Sequence, residues 1–380
     1  MAVVALGNSV IDRLTLGLRN WANRVVARPG FQRWASRFPV ARRIARKDGA
    51  ALFDLVAGFV QSQALFALVE LDVLQTLLDG PQSVELLADK ADIPCDRMAL
   101  LLQAGAAMSL LRRLRDGRFS LAQKGAALLG VPGLQQMILH HNVLYRDLSD
   151  PVAVLRGETQ TQLSEFWPYV FGQRGDVDST VTETYSDLMA QSQGLVAQDT
   201  LAAISLNGVT RLMDVGGGFG AFGQAVVTAY PAMQVDLFDL PSVTATAQHR
   251  VAQMGLQNRI HVHGGSFRDD PLPEGADAIS LIRVLYDHRD ETVRALLAKV
   301  YAALPTGGRL IVSEPMSGGQ KPERAGDVYF AFYTMAMGTG TVRSSARIAE
   351  LCAEAGFENI RQHRSQRPFV TSVLSAVRLG

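Results

Sequence analysis

The residues best placed to do chemistry lie between Met213 and Leu240, where the chain reads MDVGGGFGAFGQAVVTAYPAMQVDLFDL. A short apolar run, Thr210 to Val215, stops at the turn Gly216-Gly217-Gly218-Phe219-Gly220, and a helical stretch follows. A second apolar run, Gln234 to Phe238, ends on Asp239. Glycines let the backbone approach a ligand closely, and a helix N-terminus presents N–H groups that have no partner within the helix. A carboxylate about twenty positions beyond such a turn is placed to accept hydrogen bonds from ribose hydroxyls. The pattern implies an adenosine-type cofactor.

Glycine turns of this kind serve NAD, FAD and S-adenosylmethionine alike, so the turn alone does not choose among them. Asp214, just before the glycines, helps to choose. A carboxylate there suits the amino group and sulfonium of S-adenosylmethionine and repels a pyrophosphate. Further along come His263-Gly264-Gly265-Ser266-Phe267, then DAISLIR from Asp277 to Arg283. The run Leu304 to Pro315, LPTGGRLIVSEP, is a turn feeding a buried strand that ends on a carboxylate, Glu314.

In this order the motifs resemble those of the class I S-adenosylmethionine-dependent methyltransferases, and among them the two-domain small-molecule O-methyltransferases. The resemblance covers roughly residues 50 to 380. It implies an α/β fold, with a Rossmann-like catalytic domain and an N-terminal, mainly helical, winged-helix-like dimerisation domain. It also implies S-adenosylmethionine as cofactor and a homodimer, with no metal. Asp214, Gly216 and Gly218 would line the methionine end, Asp239 the ribose, and Ser266 and Phe267 the adenine, while Arg283 would reach the cofactor carboxylate. A nucleotide oxidoreductase or a lapsed enzyme is the other reading of the same turn.

The chain departs from these relatives where they deprotonate a phenol. Their HDW motif supplies a histidine base after the fourth strand; here the segment is Val284-Leu285-Tyr286-Asp287-His288-Arg289. Tyr286 holds the histidine position, and His288 stands where tryptophan is usual. An ERT-like motif is replaced by Gly340-Thr341-Val342-Arg343-Ser344, whereas the other supporting carboxylate survives as Glu314. Relatives also carry an aspartate at the position of Gly265, bonded to the adenine amino group. A phenol, with a pKa near 10 in tyrosine's case, can be ionised ahead of transfer, and an aliphatic alcohol cannot. Loss of the histidine therefore fits an aliphatic hydroxyl, or a carbon acceptor, better than a catechol. The candidate catalytic residues are Tyr286, His288 and Glu314; for His288 a structural role, bonded to Asp287 or a neighbour, stands beside the catalytic one.

At 380 residues, 48% of them apolar, the chain has room for two domains, and its net charge of +1 does not point to nucleic acid. The charge is unevenly spread: Met1 to Lys47 holds ten basic residues against one acid, Asp12. Trp21, Phe31, Trp34, Phe38 and several aliphatic residues are interleaved with them. Such a segment reads as a membrane-surface or partner-binding element, or as a solvated basic arm. The two cysteines, Cys95 and Cys352, lack metal spacing and suit a reducing cytoplasm. No secretory signal is visible, and no stretch approaches the roughly eighteen uninterrupted apolar residues of a membrane span. The expected location is cytoplasmic, with contact to a membrane surface from outside.

The elements that must position these residues fall into three segments. Residues 1–49 form the basic amphipathic arm, 50–200 the dimerisation and substrate-lid domain, and 201–380 the cofactor-binding catalytic domain. Residues 51–79 carry apolar positions on more than one helical face and are expected to be deeply buried, and the resemblance implies that these helices interlock two subunits. Two helices, the second from Pro94 to Leu111, and a hairpin with an Asp116-Gly117 turn then give a winged-helix order. That order also suits a DNA-binding regulator. However, the would-be recognition helix, DRMALLLQAGAAMSLL, is almost wholly apolar, which suits a core and not a groove. From residue 205 onward strands and helices alternate, giving a mostly parallel sheet with helices on both faces.

The segment VLYDHRDE together with the basic arm resembles one branch closely: bacterial carotenoid O-methyltransferases, which methylate the tertiary 1-hydroxyl of acyclic carotenoids in purple photosynthetic bacteria. This implies a hydrophobic polyene acceptor, with a pocket drawn from Trp167, Met189, Phe330, Tyr333 and Met337. The stretch DVYFAFYTMAMG is equally readable as core or dimer packing. Bacteriochlorophyll C-methyltransferases, which also lack the histidine, and secondary-metabolite O-methyltransferases are the alternatives.

Overall fold

The computed structural model describes residues 15–165, 192–338 and 340–380, arranged in two compact units, Met1–Gly125 and Ala126–Gly380. In the first, a helix over 15–26 (α1) precedes α2 (Pro29–Arg37), α3 (Pro39–Glu70), α4 (Val73–Leu78), α5 (Val84–Ala91) and α6 (Cys95–Ala107). An antiparallel hairpin follows, β1 (Leu111–Arg113) and β2 (Phe119–Leu121). Pro29 and Pro39 open their helices at positions whose N–H has no helical partner. Ser83 caps α5 by accepting from Leu86 N at 3.2 Å. The hairpin turn is locked by Asp116, whose carboxylate accepts from Arg118 N at 3.1 Å, with Gly117 at φ +88°.

One expectation is corrected in this unit, and another is met only in part within a single chain. The second helix stops at Ala107, four residues before Leu111, because Ser109 turns left-handed at φ +61° and Leu111 begins β1 instead. The 51–79 region is not buried as a whole: within α3 only Leu68 and Val69 are. Leu52, Phe53, Leu55, Val56, Phe59 and Val60 are each more than 60% exposed, so nothing among the described residues covers that face. By length and composition α3 could also cross a membrane, although polar residues such as Asp54 and Gln61 interrupt its apolar run. The core of the unit gathers Leu68, Leu74, Leu77, Met98 and Leu102. The inward face of α6 thus serves this core, as its apolar sequence requires.

The second unit takes up α7 (Gln123–Leu129), which spans the boundary, then α8 (Leu134–Asp147), α9 (Pro151–Arg156), α10 (Gln162–Glu165) and a helix over 192–203 (α11). Beyond it strands and helices alternate: β3 (Arg211–Val215), α12 (Ala221–Ala229), β4 (Gln234–Asp239), α13 (Pro241–Gln253), β5 (Ile260–Gly264) and β6 (Ala278–Ile282). Then come α14 (Asp290–Ala303), β7 (Arg309–Glu314), a π-helix (Arg324–Phe330), α15 (Ala331–Met337), α16 (Ser345–Glu354), β8 (Glu358–His363) and β9 (Ser372–Val377). The sheet order is β5-β4-β3-β6-β7-β9-β8. The first five strands pair in parallel, and β9 runs antiparallel to both β7 and β8. All five residues of β6 are buried, as a strand covered on both faces by helices must be. The chain leaves β3 toward β4 on one side and enters β6 on the other, so a crevice opens past the carboxyl ends of β3 and β6. In open α/β sheets ligands bind at such a reversal.

Candidate active site

Asp214 sits in β3, 1% exposed, at the reversal of the strand order. Ser280 on β6 donates its hydroxyl to Asp214 Oδ1 at 2.7 Å. Asp214 Oδ2 is buried and has no partner among the described residues. Burial, with the nearby Asp239 charge, pushes the Asp214 carboxyl up to about 7 against the pull of Ser280. The glycines keep that carboxylate open. Gly216 has φ +69°, and a Cβ on it would meet Val284 at 2.8 Å; a Cβ on Gly217 would stand 2.8 Å from Asp214 Oδ2. Gly218, at φ +56°, faces open space. A buried carboxylate oxygen lacking a donor beside a bare backbone cradle fits a ligand with a cationic end.

Asp239 ends β4 and ties the turn together. Its Oδ2 accepts from Gly218 N and its Oδ1 from Leu240 N, each at 2.7 Å. Burial raises its pKa while these bonds lower it. A carboxylate has about four lone-pair sites, so acceptor capacity remains for hydroxyl donors. Next to it, Gly265 N donates to Asp239 O at 2.9 Å. A Cβ on Gly265 would lie 2.6 Å from the Phe238 ring, so no side chain fits there. Phe238 occupies the space. Ser266 donates its hydroxyl to Asp269 at 3.0 Å, and its N–H to Asp270 at 2.8 Å. Phe267 packs edge-on against His288, with ring centroids 5.3 Å apart.

Past β6 the backbone turns at Arg283, whose φ of +58° is costly for a non-glycine residue. Arg283 N donates to Ser313 O at 2.8 Å, and its guanidinium donates to Ser192 at 3.0 Å. A 3₁₀ turn, Leu285–Asp287, follows. Glu314, fully buried at the end of β7, holds that turn by accepting from Leu285 N at 3.0 Å and Tyr286 N at 3.2 Å. Burial drives Glu314 up to about 8 and Asp287 up to about 7, partly offset by Arg343 and Arg283 respectively. Tyr286 is buried too, and burial lifts its phenol well above the ordinary range. His288 is 7% exposed, with Arg268 donating to its Nδ1 at 3.2 Å. That bond engages the lone pair of the neutral ring, whose pKa is held down at about 4 by burial and then by Arg268 and Arg343.

Arg343, in the segment that replaces the ERT-like motif, carries no carboxylate but clamps the same turn. It donates to Asp290 at 2.7 Å, to Leu285 O and Thr341 O at 2.9 Å, and to His288 O at 2.7 Å. Sequence reading missed it, since all of these contacts but the one to Thr341 span more than 50 residues. It missed a second group as well. His140 and His141 on α8 pair with Tyr333 and Tyr329, Nε2 to Oη, at 3.0 and 2.7 Å. Both imidazoles are held neutral, at about 4, by burial. Tyr333 and Met337 are buried in a cluster with Leu144, Leu163 and Ala336, while Phe330 is half-buried and edge-on to Tyr329. Trp167 and Met189 lie outside the described residues.

An O-methyltransferase domain model matches residues 145–358, and an O-methyltransferase dimerisation domain model matches residues 53–130. The chain belongs to the O-methyltransferase family. It is 58% identical to a demethylspheroidene O-methyltransferase of Cereibacter sphaeroides over 96% of each chain. With the Rhodobacter capsulatus protein of the same name it shares 49% identity, over 95% of this chain and 90% of that one. Its fold is similar to human N-acetylserotonin methyltransferase, solved in complex with S-adenosylmethionine, with a TM-score of 0.74 at 23% identity over 88% and 98% of the two chains. The enzyme is an S-adenosylmethionine-dependent O-methyltransferase, with a Rossmann-like catalytic domain and a helical dimerisation domain.

Proposed function

We propose that this O-methyltransferase methylates the tertiary 1-hydroxyl of an acyclic carotenoid, working as a homodimer at a membrane surface. The observation that carries the reading is Tyr286. It takes the place of the family's histidine, and burial keeps its phenol protonated. A site without a ready base there serves an acceptor that is not ionised beforehand. The 58% identity to a demethylspheroidene O-methyltransferase gives the substrate class its support. The aromatic and methionine residues from Phe330 to Met337 suit an irregular apolar ligand.

S-adenosylmethionine supplies a methyl group on a sulfonium, an electrophile with a good leaving group built in. The protein's task is therefore alignment, which contributes up to roughly 7–11 kcal/mol to lowering such a barrier. Asp214 receives the cationic end beside Gly216 and Gly218, and Asp239 takes the ribose hydroxyls. Ser266 and Phe267 flank the adenine, Phe267 offering an aromatic face, and Arg283 reaches the carboxylate. Glu314 and His288 act on the turn that carries Tyr286, Glu314 through two backbone bonds and His288 through Arg268 and Arg343. Phe330, Tyr333 and Met337 border the acceptor. A three-segment organisation, with residues 1–49 as the arm, 50–200 as the dimerisation and lid domain and 201–380 as the catalytic domain, completes the proposal. Incubating the enzyme with methyl donor and a detergent-dispersed 1-hydroxy acyclic polyene should give the 1-methyl ether by mass spectrometry. Recovery of unchanged polyenol from an enzyme that methylates a catechol contradicts it.

A further inference from the structure

A tertiary alcohol that attacks a methyl group becomes a protonated ether, and its proton must leave. Tyr286 and His288 are poorly placed to take it, the first a buried phenol and the second engaged at Nδ1 by Arg268. Two further imidazoles lie on α8, which packs in the cluster that holds Tyr333. His140 Nε2 is 3.0 Å from Tyr333 Oη, and the charges of Arg283 and Asp287, beside Tyr286, reach that same phenol. Tyr333 is 6% exposed, on the first helical turn after a π-helix, a form of backbone often found at functional sites. Next to this pair stands its near copy, His141 with Tyr329, whose phenol also touches the Met137 sulfur. Adjacent histidines on one helix thus meet tyrosines four residues apart, one on the π-helix and one on α15. The backbone next to Tyr333 also comes close to the Leu285–Asp287 turn, since a Cβ on Gly340 would lie 2.7 Å from Tyr286 O and 3.2 Å from Thr334 Cβ.

We infer that Tyr333 and His140 form the proton exit of the methyl transfer, Tyr333 contacting the acceptor oxygen and His140 receiving the proton through it. This rests on the methyl-transfer reading above, whichever alcohol is the acceptor. An acceptor lone pair forms the new C–O bond as the C–S bond breaks, its electron pair staying on sulfur. The protonated ether then gives its proton to Tyr333 Oη, which passes its own hydrogen to His140 Nε2 in the same movement. The imidazolium later releases that proton to water. No phenolate forms, consistent with the strong upward push of burial on the Tyr333 hydroxyl. Even an imidazole at about 4 is basic enough, because a protonated dialkyl ether is far more acidic.

The test uses the full chain in single-turnover methyl transfer to a tertiary polyenol, with donor affinity measured separately by calorimetry. His140→Gln keeps an acceptor for the Tyr333 hydroxyl but has no basic nitrogen, and His140→Ala leaves a cavity for added imidazole. Both are expected to slow transfer at least about a hundredfold with donor affinity unchanged, and imidazole should restore much of the His140→Ala rate. Tyr333→Phe, which removes a single oxygen, is expected to slow transfer about as much. Wild-type turnover in His140→Gln or in Tyr333→Phe overturns the inference, as does loss of donor binding in parallel with turnover. Failure of the wild-type enzyme to methylate any polyenol sinks the substrate reading instead, and the variants are then compared on whichever alcohol it accepts.

Discussion

At the scale of single residues, the two aspartates at the carboxyl ends of β3 and β4 carry the sharpest consequences. Asp239→Ala is expected to weaken donor binding about tenfold or more, roughly the loss of one charge-assisted hydrogen bond. Calorimetry that finds unchanged affinity removes Asp239 from the site. Asp214 adds a pH dependence. Its carboxyl titrates at about 7 in the ligand-free enzyme because burial disfavours the anion. A cationic ligand pairs with the anion, so binding draws the proton off. Affinity should therefore rise with pH up to about 7, by no more than about tenfold per unit, and level off above it. Titrations across that range check the slope, and Asp214→Asn should flatten it. Asp214, the glycines and Asp239 were legible in the sequence because strand, turn and carboxylate are close along the chain. His140 was not, as its partner Tyr333 is 193 residues away and no local motif marks it.

At the scale of elements, the turn Leu285–Asp287 and the strand ends around it hold the acceptor side. Arg343 satisfies three carbonyls and Asp290 from a position only 3% exposed. Lysine cannot reproduce that fork, so Arg343→Lys should cost about 2–4 kcal/mol in denaturant unfolding and lower turnover more than donor affinity. A wild-type unfolding midpoint would mean the turn holds without it. The β4–β5 corner makes a second element-level prediction. Gly265→Ala puts a methyl into the Phe238 ring, so it should destabilise the enzyme by about 1–3 kcal/mol, and adding Phe238→Leu should recover part of that. Purely additive losses in the double variant would separate the two sites. Strand positions were readable from apolar runs and their terminal carboxylates. The end of α6 was not, since apolar Met108, Leu110 and Leu111 continue the helical pattern and only the left-handed Ser109 breaks it.

At the scale of the whole molecule, the exposed face of α3 and the basic arm remain to be accounted for. Six large apolar side chains between Leu52 and Val60 are left uncovered by the described residues of one chain, within a segment mostly matched by the dimerisation model over residues 53–130. A second copy covering that face is the simplest way to bury it, and Val56→Asp with Phe59→Asp should yield monomers by light scattering. A persistent dimer would move the interface elsewhere. The apolar pattern of this region was plain in the sequence. That a second subunit covers it came from the family resemblance alone, because periodicity does not say whose surface completes a core.

The most direct measurement is competition for labelled methyl groups among a 1-hydroxy acyclic carotenoid, a bacteriochlorophyllide and a catechol, all presented in the same liposomes. Label on the carotenoid alone is the expected result, with transfer faster than from detergent. Label on the chlorin or the catechol in its place contradicts the tertiary-alcohol assignment.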